Sequence, residues 1–154
     1  MPLTRSYQDE KGTEREYEMI LILKPNLSEN EVKAIVERIM GFIDKYEGRL
    51  ISLENWGKRT LAYTIKKHNQ GIYLYWRIMG HFDLIPNIER LCRMIESIIR
   101  YMTIKIDDSV DPAARPETVK SEDLEDILSK SEEVKEENAE KAVESDEKPE
   151  NQEE

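Results

Sequence analysis

Two hydrophobic periodicities alternate along this chain in an order that few folds can accommodate. Four segments carry the apolar patterns of β-strands, at 17–24, 49–67, 71–80 and 100–107. Two segments carry apolar residues at helical spacing, at 32–43 and 88–99. The order β-α-β-β-α-β predicts an α+β fold of the ferredoxin-like, split βαβ type. In that arrangement two helices cover one face of a four-stranded antiparallel sheet, and we expect the other face to be open.

Local signals predict where these elements begin and end. Ser28 is a fair N-cap for the first helix, with acidic residues in the first turn, and Gly48 provides a stop. Gly57 predicts a bulge or bend within one long strand. Residues 68–71, His-Asn-Gln-Gly, predict a loop or hairpin turn, and the second helix is expected to follow Pro86.

Strand alternation predicts which side chains lie on each face of the sheet. The helix-covered face is assigned Met19, Leu21, Leu23, Leu74, Trp76 and Ile78, with Met102, Ile104 and Ile106 from the last strand. The open face is assigned Ile20, Ile22, Tyr73, Tyr75, Arg77, Tyr101, Thr103 and Lys105. A soluble monomer seldom exposes such a mixed apolar, aromatic and basic surface without a partner. Cross-strand packing of the aromatic rings is the alternative explanation.

Charge divides the chain into unlike parts. Residues 1–108 carry 17 basic and 16 acidic side chains, whereas residues 109–154 carry 6 and 17. We therefore predict a disordered lead-in over 1–16, a folded domain over 17–108 and an acidic disordered tail over 109–154, whose deletion should leave the domain folded.

Within this tail one short segment has helical spacing. Leu124, Ile127 and Leu128 would share a helical face, either as a transient helix or as a motif that docks on a partner. For the acidic tail as a whole three roles remain open: keeping the protein soluble, competing electrostatically with an anionic ligand for the basic strand residues, or contacting another molecule.

No pattern in the sequence predicts catalysis. The two histidines, His68 and His81, fall in or beside predicted loops without a nearby nucleophile, and no phosphate-binding or metal-binding motif occurs. The single cysteine, Cys92, predicts a buried small hydrophobic side chain and a reducing, cytoplasmic setting. No apolar run approaches the ~20 residues that span a bilayer. We expect no enzyme activity, no cofactor and no metal.

The segment from Trp56 to Trp76 instead interleaves basic and aromatic side chains on strands. Cationic groups beside flat rings are what a polyanionic partner with exposed bases needs. This pattern favours a nucleic-acid binder.

Four segments of the chain, taken together, resemble the bacterial-type small-subunit ribosomal protein six family. The resemblance covers residues 17–107 and rests on the opening strand YEMILIL followed by PNLS, on WGKRTLAYTI, on GIY, and on the closing IRYMTIK. Thr60 departs from the family, which more often has a charged or amide residue there.

The resemblance implies a scaffolding protein in the platform of the 30S ribosomal subunit. It implies pairing with small-subunit ribosomal protein eighteen and binding to the central domain of the small-subunit RNA beside protein fifteen. Candidate RNA or partner contacts are Lys58, Arg59, Tyr63, Tyr73, Tyr75, Arg77, Arg100 and Lys105. Two other uses of the fold are less favoured. A ligand-sensing regulatory module usually has glycine where this chain has 25–28, Pro-Asn-Leu-Ser, and a small phosphatase would need an arginine between Arg15 and Arg38.

Overall fold

The computed structural model describes residues 14–115, 119 and 123–129. The elements follow the predicted order: β1 (Glu14–Leu23), α1 (Glu29–Lys45), β2 (Arg49–Ile65), β3 (His68–Gly80), α2 (Leu84–Met94) and β4 (Ile98–Val110). The strands form one antiparallel sheet in the order β2-β3-β1-β4. The ferredoxin-like α+β prediction is therefore confirmed, with β2 and β4 as edge strands.

The main core lies between the sheet and the two helices. On β1 the side chains of Met19, Leu21 and Leu23 are fully buried there. Leu74, Trp76 and Ile78 of β3 are also fully buried, as the alternation predicts. Cys92 of α2 is part of this core, and burial raises the pKa of its thiol to about 12. It therefore behaves as the predicted hydrophobic side chain.

The start of α1 is encoded locally. The Glu31 backbone N–H donates to the Ser28 hydroxyl at 3.4 Å, and the Ser28 N–H donates to the Glu31 carboxylate at 2.8 Å. This reciprocal capping box satisfies two N–H groups that the helix itself leaves unpaired. The first helix ends at Lys45, and the left-handed residue after it is Glu47, with φ 54°. Gly48 donates its N–H to the Ile43 carbonyl at 2.8 Å and completes the stop.

The second helix begins three residues before the predicted position, which was immediately after Pro86. α2 starts at Leu84, so Pro86 lies in its first turn. The N–H groups of a first helical turn have no partner within the helix, and proline costs nothing by lacking one there.

The β2–β3 turn also differs from the prediction. It consists of Lys66 and Lys67, and residues 68–71 belong to β3, with Ile65 opposite His68. Gly71 serves close packing instead of a turn, because a β-carbon there would lie 2.4 Å from Cγ2 of Ile22. Gly57 matches its prediction, with φ 74° and a register shift between Asn55 and Gly57.

The faces of β4 were assigned wrongly. Leu21 pairs with Tyr101, Met19 with Thr103 and Tyr17 with Lys105. Directly paired residues share a face of the sheet, so these three β4 residues lie on the helix-covered side. Met102, Ile104 and Ile106 are instead 50%, 50% and 45% exposed. Alternation indicates which residues of a strand share a face, but not which face that is. Met102, Ile104 and Ile106 were assigned to the core only because they are hydrophobic.

The folded region extends beyond the predicted limits of 17–108 at both ends. β1 begins at Glu14, and Val110 at the end of β4 is buried against Ile51 and Met79. A short 3₁₀ helix, Pro112–Ala114, follows. The earlier part of the lead-in and the remainder of the tail lie outside the described residues.

Part of the predicted disordered tail packs on the domain. Residues 124–129 are helical, and Leu124 and Leu128 are buried in the main core with Val119. The Asn55 side-chain amide donates to the Leu128 carbonyl at 3.1 Å, and Lys33 of α1 bonds to Glu125 at 2.6 Å. The segment thus contacts both α1 and β2. The sequence prediction missed it because seven residues with three aliphatic side chains gain burial only from a surface that other elements build.

Candidate protein and RNA interface

The open face is partly covered by the far end of the β2–β3 hairpin. Between the pairs Thr60–Gln70 and Ile65–His68, four residues of β2 lie opposite the single residue Asn69. This bulge is closed by a 2.7 Å hydrogen bond between the Thr64 hydroxyl and the Asn69 side-chain oxygen. The extra residues fold toward the sheet, so that a second, smaller apolar cluster forms on the face opposite the helices.

Leu61, Ile22 and Ile99 are the buried residues of this small cluster. Ile20 and Ile22 point to the open face as predicted, but the bulged strand covers Ile22 and leaves it 8% exposed. Ile99 reaches the cluster because β4 shifts register between the pairs Ile22–Arg100 and Leu23–Ile98. Ile98 therefore packs in the main core on the helix-covered side, and Ile99 packs in the small cluster on the open face.

A pocket of about 270 Å³ opens beside this cluster. Its lining comes from β1, β2, β3 and β4 and is mainly aliphatic and aromatic: Ile20, Ile22, Leu61, Ala62, Tyr63, Ile65, Tyr73, Arg100, Tyr101 and Met102. The exposed Ile104 continues the apolar surface along β4. An apolar side chain of a partner protein would leave water on entering such a pocket, which is the favourable contribution to docking.

Arg100 and Tyr63 lie together at the rim of the pocket. The Arg100 guanidinium lies 5.7 Å from the Tyr63 ring centroid and also donates to the Tyr63 hydroxyl. Tyr63 remains 59% exposed. A cation held over an exposed ring offers a charged donor and a flat apolar surface at the same place.

Tyr75, by contrast, has its partners inside the protein. Its ring stacks on Trp56 with centroids 5.3 Å apart and an interplanar angle of 5°. The Tyr75 hydroxyl donates to Glu18 at 2.8 Å. Burial, and next the bond to Glu18, raise the pKa of Tyr75 to about 12. The Arg59 guanidinium lies 5.7 Å from the Trp56 ring centroid, so these side chains form a layered cross-strand stack.

Arg77 is engaged in an ion pair within the protein. Its guanidinium bonds to Glu16, whose side chain is fully buried, and Arg115 bonds to the other Glu16 oxygen at 3.2 Å. A buried carboxylate needs such charged partners to offset its loss of hydration. Arg77 and Arg115 therefore connect β3 and the chain after β4 to the central strand β1.

The two remaining basic candidates lie away from the pocket. Lys58 pairs with Ile72, which packs against the main core, and so it points toward the helix-covered side. Lys105 lies on that side too and bonds to Asp108 at 2.5 Å. That hydrogen bond is the main cause that lowers the pKa of Asp108. Of the eight candidates, the structure brings Tyr63, Tyr73 and Arg100 together around one pocket.

Sequence reasoning missed the apolar members of this surface. Leu61 and Ile65 fall in the predicted strand segment 49–67 and were assigned to neither face, and Met102 and Ile104 were assigned to the core. No local signal predicts a bulge of four residues against one, because it depends on packing against β1 and β4. Two kinds of feature are absent from the part of the chain that the structure describes: it contains no group of His, Cys, Asp or Glu side chains that could hold a metal ion, and no helix long and apolar enough to cross a membrane.

Comparisons with known proteins agree with this architecture. The model of the family described as ribosomal protein S6 matches residues 16–105, which run from β1 into β4. Small ribosomal subunit protein bS6 of Rippkaea orientalis is 41% identical over 103 residues, covering 66% of this chain and 83% of the relative. The bS6 protein of Geotalea daltonii is 43% identical over 100 residues, covering 65% and 78%.

A solved structure resembles the fold as well. The crystal structure of 30S ribosomal protein S6 from Thermotoga maritima is 33% identical in sequence and superposes with a TM-score of 0.58. The superposition covers 60% of this chain and 88% of that one. Because the family model spans most of the sheet and both helices, the chain belongs to the ribosomal protein S6 family, whose members are structural, non-enzymatic proteins of the small ribosomal subunit.

Proposed function

We propose that this protein docks through its open sheet face onto small-subunit ribosomal protein eighteen. The pair then binds the central domain of the small-subunit RNA, beside protein fifteen, and supports assembly of the platform and translation in the cytoplasm. The observation that carries the proposal is the apolar pocket of about 270 Å³ on the open face. Exposed apolar surface of this kind marks an interaction site.

The chemistry of the pocket favours a protein occupant. Ile20, Ile65 and Met102 line it with aliphatic groups, which offer nothing to a phosphate and bury well against a partner's apolar side chains. The rim differs, because Arg100 and Tyr63 combine a cation with an exposed ring. We therefore assign the centre of the face to the partner protein and its basic rim to RNA.

Charge supports a shared RNA site formed with the partner. Residues 1–108 carry only one more basic than acidic side chain. Since affinity for RNA rises with the number of phosphates neutralised, the lone protein should bind RNA weakly. A basic partner protein would supply the remaining interactions. The protein itself is proposed to act as a scaffold without catalytic activity, and the ligand-sensing alternative is set aside because the chain belongs to a ribosomal family.

The first experiment is co-sedimentation with 30S particles in a sucrose gradient. The protein should migrate with the particles. A binding assay with purified components then tests the order of assembly: the lone protein should bind a central-domain RNA fragment weakly, and addition of protein eighteen should produce tight, salt-dependent binding. Tight and salt-insensitive binding by the lone protein would contradict the proposal.

A pair of variants locates the protein interface. Met102→Glu places a charge in the pocket, whereas Met94→Glu places the same charge on α2, where Met94 is 60% exposed. Both positions are exposed enough for the domain to stay folded. Loss of pairing with protein eighteen in the first variant alone is the expected result. Equal pairing by both variants would place the interface elsewhere.

A further inference from the structure

The hairpin turn between β2 and β3 has an unusual composition. Lys66 and Lys67 adopt positive φ angles of 46° and 68°. Positive φ at both central residues is the backbone of a type I′ turn, for which Asn-Gly is the favoured sequence. A side chain with a β-carbon is disfavoured in that conformation. Two lysines in place of Asn-Gly put two cations at the tip of the hairpin, in a backbone conformation that glycine or asparagine adopts with less strain.

The first of these lysines, Lys66, borders a cleft of about 290 Å³, and Lys67 follows it at the tip of the hairpin. Cations reach the cleft from three elements: Lys66 from the turn, Arg93 from the last turn of α2 and Arg100 from β4. Lys66 donates to the Ile98 carbonyl at 3.3 Å, and Arg93 donates to the Tyr101 hydroxyl at 2.9 Å. Neutral oxygens thus hold these two groups in place, and among the described residues neither forms an ion pair.

No carboxylate that the structure describes is bound directly to the cations of the cleft. In the described part of the chain, Lys66, Arg93 and Arg100 form no salt bridge. The nearby carboxylate of Glu96 is bound by Lys24 at 2.8 Å. That hydrogen bond, the charge of Lys24 and then the charge of Lys66 lower the pKa of Glu96. With Glu96 bound by Lys24, the three cations of the cleft remain available to an anion.

We propose that this cleft, between the Lys66–Lys67 turn and the α2–β4 corner, binds a phosphate group of the RNA backbone. The proposal rests on the RNA-binding function proposed above and assigns it a site formed by Lys66, Arg93 and Arg100, with Lys67 next to it in the turn. Lysine supplies a point charge and arginine a planar fork of donors, and together they suit a phosphate that is held without reading the base.

The position of the cleft adds a consequence for assembly. Arg100 and Tyr101 border both this cleft and the apolar pocket of the open face. RNA in the cleft and a partner protein in the pocket would therefore meet at Arg100. Such adjacency lets each ligand order the same side chain for the other, which is a physical route to cooperative binding.

The sharpest test replaces the turn by its preferred residues. The double variant Lys66→Asn with Lys67→Gly removes both charges and relieves the left-handed backbone, so its melting temperature should equal or exceed that of the wild type. Its complex with protein eighteen should nevertheless bind the central-domain RNA fragment more weakly. A purely structural role for the turn predicts the opposite, namely unchanged affinity in a more stable protein.

Salt dependence identifies the bound group as a phosphate. For every phosphate that a variant no longer neutralises, the slope of log affinity against log salt should fall in magnitude by about 0.7–0.9. Accordingly, the ratio of wild-type to variant affinity should shrink about threefold per phosphate between about 50 and 200 mM KCl. Arg93→Gln should show the same change, and Arg38→Gln, which removes an exposed arginine from α1, should show none.

The outcomes separate this proposal from the one on which it depends. If the wild-type pair binds RNA but both cleft variants keep its affinity and salt slope, the cleft assignment is overturned and the RNA-binding function stands. If Arg38→Gln reduces the slope as much as Arg93→Gln, the effect is general charge and the cleft is again overturned. If the wild-type pair does not bind RNA at all, both proposals fail.

Discussion

Leu124→Ala is the substitution that tests most directly whether the segment after β4 belongs to the folded domain. Leu124 is fully buried in the main core, and Leu128 and Val119 are buried beside it. Replacing a fully buried leucine by alanine costs about 2–5 kcal/mol, because transfer free energy is removed and a cavity remains. The domain predicted from composition ended at 108, and that prediction implies no cost at all.

The position of the segment sets an upper limit on this cost. Residues 123–129 follow all four strands and both helices, and we expect them to detach while the remaining domain stays folded. The substitution can therefore cost no more than the free energy with which the segment docks. We expect a value near the lower end, about 2 kcal/mol, which corresponds to a fall in melting temperature of roughly 8–16 °C for a domain of this size.

Urea unfolding and calorimetry of the full chain measure the change in stability. Asp126→Ala is the matched control, because Asp126 is exposed on the same helical segment and should change stability by less than about 0.5 kcal/mol. Deletion of residues 116–154 should cost about as much as Leu124→Ala, since both abolish docking. If Leu124→Ala and the deletion both leave stability unchanged, the segment does not pack in solution and the reasoning from its burial is refuted.

Three further expectations follow from buried groups. Glu16→Gln should lower the free energy of unfolding, measured by urea titration, by about 1–3 kcal/mol. The reason is that Arg77 and Arg115 lose the buried carboxylate between them and remain partly exposed. Wild-type stability in this variant would show that the ion pairs contribute nothing. Gly71→Ala should lower the free energy of unfolding by about 1–3 kcal/mol, because the new methyl group overpacks against Ile22. A β-carbon at Gly41 on α1 meets no atom within 4 Å, so Gly41→Ala should raise stability by about 0.5–1 kcal/mol. The reverse order of the two melting temperatures would contradict this. The pKa of Cys92 is raised from 9.0 to about 12, so the thiol of the unfolded chain ionises first as pH rises, and stability should decline from about pH 9 upward. Thiol labelling of the native protein should stay slow at pH 8. Rapid labelling of the native protein would show an accessible thiol.

Much of the fold is readable from local patterns because local physical chemistry produces it. The capping box at Ser28 and Glu31, the apolar face of α1 and the bulge at Gly57 each depend on residues only a few positions apart. The buried face of β3 follows from its period of two. These signals predict the element order and therefore the topology.

The candidate site was less predictable, because its geometry depends on contacts between distant segments. The face of β4 is set by its register against β1, where Leu21 opposes Tyr101, and alternation alone allows either assignment. The turn falls at Lys66 and Lys67 instead of at residues 68–71, and Gly71 lies where β3 passes close to Ile22. Neither distinction can be read from a single strand.

The amino-acid order alone was enough to define the helices, the strands, the split βαβ connectivity and a resemblance to the ribosomal S6 family. Hydrophobic periodicity, caps and glycines act over a few residues, and their consequences are therefore written in adjacent positions. The apolar pocket, the cleft beside the hairpin turn and the docked segment around Leu124 exist only once the chain is folded. Each brings together side chains from three or more elements, and the free energy of such contacts depends on register and close approach that no local pattern specifies.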